Sequence, residues 1–196
     1  LSYLRKSFSV EETGRACLSI TCHGLYAAFL NGKQVGDFVL APGTGDYRKR
    51  LTVQFYDVSE LLKAGENELF VILGDGWYRG HVGVDGLHNY YGSDLALLCQ
   101  LEMNGTPVLC SDETWEASQS GPIRENDLEL GETYDARMEN ISDWHAVTVL
   151  DDGFANLAPT ESVPILEQER FPGKIIRTPN GETVIDFGQN LAGYTA

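Results

Sequence analysis

Gly24-Leu25-Tyr26-Ala27-Ala28-Phe29-Leu30-Asn31-Gly32-Lys33-Gln34-Val35-Gly36 is the stretch whose reading decides the fold class. Six largely apolar residues run into Asn31-Gly32. That dipeptide tolerates the two positive φ angles of a type I′ turn, whose twist matches paired strands. Residues 25–30 therefore read as a strand that folds back through Val35, with Asp37 to Leu40 expected to continue the return. Just upstream, Ala16, Leu18, Ile20 and Cys22 alternate with Ser19, Thr21 and His23. This is the period of a half-buried strand over 15–23. Gly24, between the two strands, reads as a bulge. Residues 3–10 read as a first strand, closed by a turn at Glu11 to Gly14.

The same turn chemistry recurs at Asn104-Gly105. Its register pairs 103 with 106 and, stepping outward, 99 with 110, on an apolar face shared with Leu97, Leu101 and Val108. Hydrogen-bonded antiparallel partners have Cα atoms about 5.5 Å apart, so a Cys99–Cys110 disulfide is geometrically open. Two free, buried thiols behaving as small hydrophobes are the preferred reading. Pro107, facing Glu102 at a non-hydrogen-bonded position, marks 106–111 as an edge. Cys17 and Cys22 have opposite parity and face opposite sides, and the four cysteines show no metal-ligand spacing.

Elsewhere the punctuation is regular. Ala41 to Tyr47 is a long turn, and Arg48-Lys49-Arg50 reads as a solvated basic loop. Residues 51–58 form a strand, after which Ser59 caps a helical turn from Glu60 to Lys63 stopped by Gly65. Residues 113–118 and 123–127 are short strands, Glu129 to Met138 an acid-rich loop, and Trp144 to Leu150 a further strand. The loop from Asp151 to Pro164 is the candidate boundary. Beyond it, 165–178 and 183–187 are strand-like, bridged by Pro179-Asn180-Gly181. There is no long amphipathic helix and no repeat. The expectation is an all-β protein: a β-sandwich or jelly roll over 1–160, with 161–196 as a linker and the first strands of a further β-domain.

One loop stands out chemically. The apolar run Leu69 to Leu73 ends in Gly74-Asp75-Gly76-Trp77-Tyr78-Arg79-Gly80-His81-Val82-Gly83. Irregular loops on a rigid sheet are where ligand contacts concentrate. The competing reading is an aromatic plug closing one end of a sandwich. The glycines do not fit a dinucleotide fingerprint, since the third comes one place late and no helix pattern follows. His81 and His88 read as surface groups, there being no third ligand beside them.

The bulk numbers restrict partners. The 196 residues carry 29 acids and 14 bases, a net charge of −15. This argues against nucleic acid, whose phosphates need Lys and Arg, and against an anionic membrane surface. No apolar run reaches the length of a membrane span. Leu1 is followed by neither a basic segment nor an apolar one, so no signal peptide is visible. The chain opens directly in a strand, which suggests a piece of something longer. Compartment is not readable.

Four segments, in order, resemble the N-terminal domain of bacterial α-L-rhamnosidases of glycoside hydrolase family 78. They are Leu40-Ala41-Pro42-Gly43 with Asp46-Tyr47-Arg48-Lys49-Arg50, then Gly74 to Gly80, then Gly131-Glu132 with Tyr134-Asp135-Ala136-Arg137, and finally Ile185-Asp186-Phe187-Gly188-Gln189-Asn190. The 24–36 hairpin looks like those of galactose-binding-like jelly rolls attached to glycoside hydrolases. Tyr56-Asp57-Val58 with Gly65-Glu66-Asn67 adds to that likeness. The resemblance implies a bacterial parent that releases terminal α-L-rhamnose with inversion, on an (α/α)₆-barrel C-terminal to this chain. Some relatives bind rhamnose through calcium held by an Asp–Asn pair near the Asp46–Arg50 region. Here Arg48 and Lys49 stand nearby and cannot ligate Ca²⁺, so neither metal nor cofactor is expected.

No catalytic residue is assigned within the chain. An inverting glycosidase needs two carboxyls about 6.5–9.5 Å apart, one with a raised pKa. Asp46, Asp75, Asp85, Glu132 and Asp135 read instead as turn formers or solvated charges. Two roles stay open: an accessory β-sandwich supporting the catalytic domain of the parent, which is favoured, and a module binding L-rhamnose or rhamnosylated glycans. For the second, the candidate ligand contacts are Asp46, Tyr47, Asp75, Trp77, Tyr78, Arg79, Tyr134 and Asp135. A binder exposes an aromatic face beside Asp or Arg; a scaffold buries its rings.

Overall fold

The computed structural model describes residues 1–84, 86–151 and 156–193. Asp85, residues 152–155 of the loop expected from Asp151 to Pro164, and residues 194–196 of the last stretch lie outside the described residues. Two compact units result, Leu1–Ile165 and Leu166–Ala196. In chain order the strands of the first are β1 (Ser2–Val10), β2 (Ala16–His23), β3 (Leu25–Leu30), β4 (Lys33–Gln34), β5 (Leu51–Asp57), β6 (Gly65–Gly74), β7 (Ala96–Met103), β8 (Thr106–Cys110), β9 (Glu116–Ser118), β10 (Ile123–Asp127), β11 (Gly131–Tyr134), β12 (His145–Ala146) and β13 (Leu157–Pro159). The second unit pairs β14 (Lys174–Arg177) with β15 (Thr183–Asp186). One helical turn, α1 (Gly76–Arg79), follows β6. No helix among the described residues is long and apolar enough to cross a membrane.

Two sheets form the sandwich. One has the order β12-β9-β1-β6-β3-β4, the other β13-β5-β2-β7-β8. Every pairing within them is antiparallel except β13 with β5. Their inner faces make one core. Leu18 and Ile20 of β2, Leu30 of β3, Leu69 and Val71 of β6 and Leu101 of β7 are all fully buried in it. Each such side chain contributes about 1.5–3 kcal/mol through removal from water.

Both Asn-Gly turns form as expected, with φ of 54° and 76° at Asn31 and Gly32, and 52° and 80° at Asn104 and Gly105. At Gly24 (φ 116°) a Cβ would meet the Gly74 carbonyl at 2.3 Å. Glycine is therefore what lets β2 turn directly into β3 against β6.

Several local expectations are corrected. The return strand after Asn31-Gly32 ends at Gln34. Gly36 then takes φ 69°, and the Tyr56 ring packs where its side chain would be. Ser59 caps no helix. Its hydroxyl accepts from Ala16 N, and Asp57 Oδ1 accepts from both its N–H and its hydroxyl, leaving a 3₁₀ turn over Ser59–Leu61. The acid-rich loop contains β11, paired with β10. The strand expected over Trp144 to Leu150 shrinks to two residues, and the loop after it contains β13.

The cysteine register also changes. Pro107 faces Glu102 on the edge strand β8 as expected, but the ladder then slips, so that Leu101 faces Leu109 and Gln100 faces Cys110. Val108 is the extra residue of a bulge and packs against the core. Cys99 consequently bonds through its backbone to Ser111. It is buried, Cys110 is exposed, and all four cysteines are free. Burial pushes the Cys22 and Cys99 thiols well above their ordinary pKa.

Candidate functional site: an aromatic cleft at one end of the sandwich

The end of β6 and the turn before β5 deliver side chains to one place. After Gly74 the chain winds into α1, a helical turn where an irregular loop was expected. Asp75 and Arg79, one turn apart, form an ion pair (Nε to Oδ1, 2.9 Å). Arg79 Nη1 also donates to the Ser93 carbonyl, tying the turn to the segment before β7.

That winding turns Tyr78 inward. Its ring stacks on His23, the last residue of β2, at 4.4 Å and 10°. It meets Tyr47 edge-on at 5.2 Å and lies 6.3 Å from Tyr91. Tyr47 and Tyr78 are buried and Trp77 is half-buried against them, with Leu51 and Leu157 completing a second small core. The Tyr47 hydroxyl donates to the Gly43 carbonyl at 3.1 Å, and burial raises its pKa. Each edge-on or offset ring pair adds about 0.5–1.5 kcal/mol beyond area burial.

Outside this plug the rings become accessible. Tyr90 is 51% exposed and stands perpendicular to Tyr91. The Arg48 guanidinium lies 5.1 Å from the Tyr90 ring and 5.3 Å from the Tyr91 ring. Arg48 also donates to Asp46 Oδ1 at 3.1 Å, while Lys49 approaches Oδ2 at 3.6 Å. The hydrogen bond from Arg48 is the main reason the Asp46 carboxyl sits below its usual range. A cleft of about 860 Å³ opens here, lined among others by Tyr47, Tyr78, Tyr91, Arg48, Leu4 and Trp115. A smaller recess, about 310 Å³, lies between Asp46 and Glu161.

Of the residues singled out in the sequence, Tyr47 and Tyr78 line this cleft, Trp77 packs against their cluster, and Asp46 lines the smaller recess. Asp75 and Arg79 are occupied with each other on α1. Tyr134 and Asp135 belong to the β10–β11 arm. Tyr134 is 53% exposed and donates to Glu139 at 3.0 Å. Asp135 accepts from Arg137 N, Nε and Nη2, and the side-chain bond foremost holds its carboxyl at about 2. His23, Tyr90, Tyr91 and the stacking role of Arg48 are not apparent from sequence. The Tyr90-Tyr91 doublet beside a glycine was the available signal.

The carboxyl shifts that are resolved run against a general-acid role. Asp46, Asp57, Asp112, Asp127, Asp135 and Glu167 are all held below the ordinary carboxylate range. A general acid needs the opposite shift. Calcium does not fit at Asp46 either, because a guanidinium and an ammonium already hold that carboxylate. Among the described residues no group of three or more His, Cys, Asp or Glu is placed to hold a metal ion.

The model of the alpha-L-rhamnosidase N-terminal domain matches residues 11–184. The chain belongs to that family. It is 40% identical to an α-L-rhamnosidase of Streptomyces avermitilis over 97% of its own length and 20% of the relative's. It is 36% identical to one of Formosa agariphila over 98% and 22%. Solved structures agree. The S. avermitilis α-L-rhamnosidase complexed with L-rhamnose superposes with a TM-score of 0.87 at 39% identity, over 97% of this chain and 20% of that one. The α-L-rhamnosidase of Aspergillus terreus gives 0.84 at 35%, over 97% and 24%. This rhamnosidase domain thus spans about a fifth of the length of the curated relatives it matches.

Proposed function

We propose that this domain is a non-catalytic accessory β-sandwich of an α-L-rhamnosidase. It supports a catalytic part, an (α/α)₆-barrel hydrolysing terminal α-L-rhamnosides, that lies outside these 196 residues. The observation that carries this reading is the family match over nearly the whole chain but only a fifth of each relative. The candidate carboxyls Asp46 and Asp75 are consistent with it, each being paired with a cation. On this reading, residues 161–196 lead from the sandwich into the next β-domain, and the aromatic cluster closes one end of the core.

The test is to delete the domain from the parent enzyme. The expected outcome is a catalytic part that loses stability or solubility while the intrinsic chemistry of its soluble fraction persists. A deletion that leaves melting temperature, solubility and turnover unchanged refutes a supporting role.

The second reading is a module that binds L-rhamnose or rhamnosylated glycans, favoured by the exposed Tyr90 ring beside Arg48 and Asp46. A relative's structure in complex with L-rhamnose makes that sugar the probe. Titration with L-rhamnose, with and without Ca²⁺, should give millimolar binding or none. Micromolar binding abolished by EDTA would establish the module and overturn the preference for a support.

A further inference from the structure

The outer faces of the two sheets differ. An antiparallel sheet with one solvated face alternates apolar-in with polar-out. Around Ser19 the outer face of the five-stranded sheet follows this rule, with Cys17 beside Asp57 and Glu102, and Ser19 beside Gln100. Phe55, across from Ser19, is the exposed ring on that face. On β3 and β6 the outer face of the six-stranded sheet breaks the rule, while on β1 Arg5 stands opposite Phe70 and pairs with Glu116. Register places Phe29 beside Phe70, and Ala27 beside Ile72 beside Tyr3. The Phe70 ring lies 6.1 Å from Phe29 and 6.2 Å from Tyr3. Phe29, Phe70, Ile72 and Ala27 are only half-buried.

This stripe runs into the β10–β11 arm. The Tyr3 hydroxyl accepts from Ile123 N at 2.8 Å, where the arm begins. The arm then presents Leu128 (40% exposed), Leu130 (74%) and Tyr134 (53%). It is held rigidly at its base, where Asp127 accepts from His81, Glu129 and Leu130. Acids predominate along its border, with Arg124 on β10 and Arg137 just after β11 as the cations there. Glu125, Glu132 and Glu139 bond to Thr133, Asn126 and Tyr134, all neutral. None of these three acids, nor Glu129, is in an ion pair among the described residues.

We propose that the stripe of Phe29, Phe70 and Ile72, backed by the buried Tyr3, and the β10–β11 arm together form the surface on which the rest of an α-L-rhamnosidase chain packs. The occupant is a predominantly apolar patch of that chain, bordered by polar and basic side chains to match the mainly acidic border. Two observations select it. About four fifths of each relative lies outside this domain, and tethering in one chain raises a segment's effective concentration to the millimolar range. The stripe and arm also combine an apolar centre with a polar, mainly acidic border, as domain interfaces do. This inference rests on the accessory-domain reading.

Hydroxyl-radical footprinting of the parent enzyme and of the 196-residue chain, side by side, tests it, with Phe55 as the internal reference. The expected result is that Phe29, Phe70 and Tyr134 label in the excised chain and lose that labelling in the parent, while Phe55 labels equally in both. Loss at Phe55, with Phe29 and Phe70 unchanged, overturns this surface but leaves the accessory reading standing. Equal labelling of all four residues in both proteins overturns this surface, while the accessory reading stands or falls on the deletion of the domain.

Discussion

Replacing Asp127 with alanine removes one carboxylate that four N–H groups share. Its Oδ2 accepts from His81 N at 2.8 Å and from His81 Nδ1 at 3.0 Å, and its Oδ1 accepts from Glu129 N at 2.8 Å and Leu130 N at 3.0 Å. The side chain is 10% exposed. Burial acts to raise the carboxyl pKa, but the four donors outweigh it and hold the group well below the usual range. Hydrogen bonds to a charged group contribute about 1.5–3 kcal/mol each. Taking the two His81 bonds as lost, and the two surface bonds as exchanged for water, puts the cost at about 3 kcal/mol. For a unit of this size that lowers the melting temperature by roughly 6–12 °C. Glu161→Ala is the control. Its ion pair with Arg50 is exposed on both sides and should contribute under about 1 kcal/mol. Calorimetry and urea unfolding provide the readout.

The pH dependence follows from the same carboxylate. Folding depresses its pKa, so its stabilisation is complete above the unfolded value of about 3.9. It is lost as pH falls through the lower folded value. The gap between wild type and Asp127→Ala should therefore narrow steadily as the solution is acidified. A gap below about 0.5 kcal/mol at neutral pH, or one that widens on acidification, refutes the clamp.

Three further outcomes are expected. Gly36→Ala should cost about 2 kcal/mol or more in urea unfolding, because it forces a side chain at φ 69° into the Tyr56 ring 2.2 Å away; a neutral effect would contradict that packing. A thiol reagent should modify Cys110 rapidly in the native chain and Cys22 and Cys99 only on unfolding, since burial keeps those thiols protonated; protection of Cys110 by a bond to Cys99 would contradict the observed register. Leu101→Ala, at a fully buried position on β7, should cost about 2–5 kcal/mol, with a smaller value contradicting its place in the core.

What the sequence discloses divides along physical lines. Turn chemistry is local, so Asn31-Gly32 and Asn104-Gly105 announce their hairpins, and the alternation in β2 places Ala16, Leu18, Ile20 and Cys22 in the core correctly, although Thr21 on the other face is fully buried as well. The Cys99–Cys110 register fails for a tertiary reason. Val108 packs toward the core and Trp115 Nε1 donates to the Cys110 carbonyl at 2.8 Å, neither of which turn geometry encodes. Strand β11 carries no apolar signal, all four of its residues being exposed. Strand β13 exists because Leu157 finds Leu51 across a parallel pairing distant in sequence. At the cleft, Trp77 and Tyr78 were visible as large rings among glycines. Tyr47 was visible as a candidate too, but its meeting with Tyr78, His23 and Tyr91 was not, since these rings arrive from separate segments.

The most direct test of the account is turnover of an aryl α-L-rhamnoside by the purified 196-residue chain beside its full-length parent. The chain should give no rate above a buffer blank while the parent hydrolyses the glycoside. Turnover that co-purifies with the chain and disappears on changing one of its own acids, Asp46 or Asp75, would contradict a non-catalytic role.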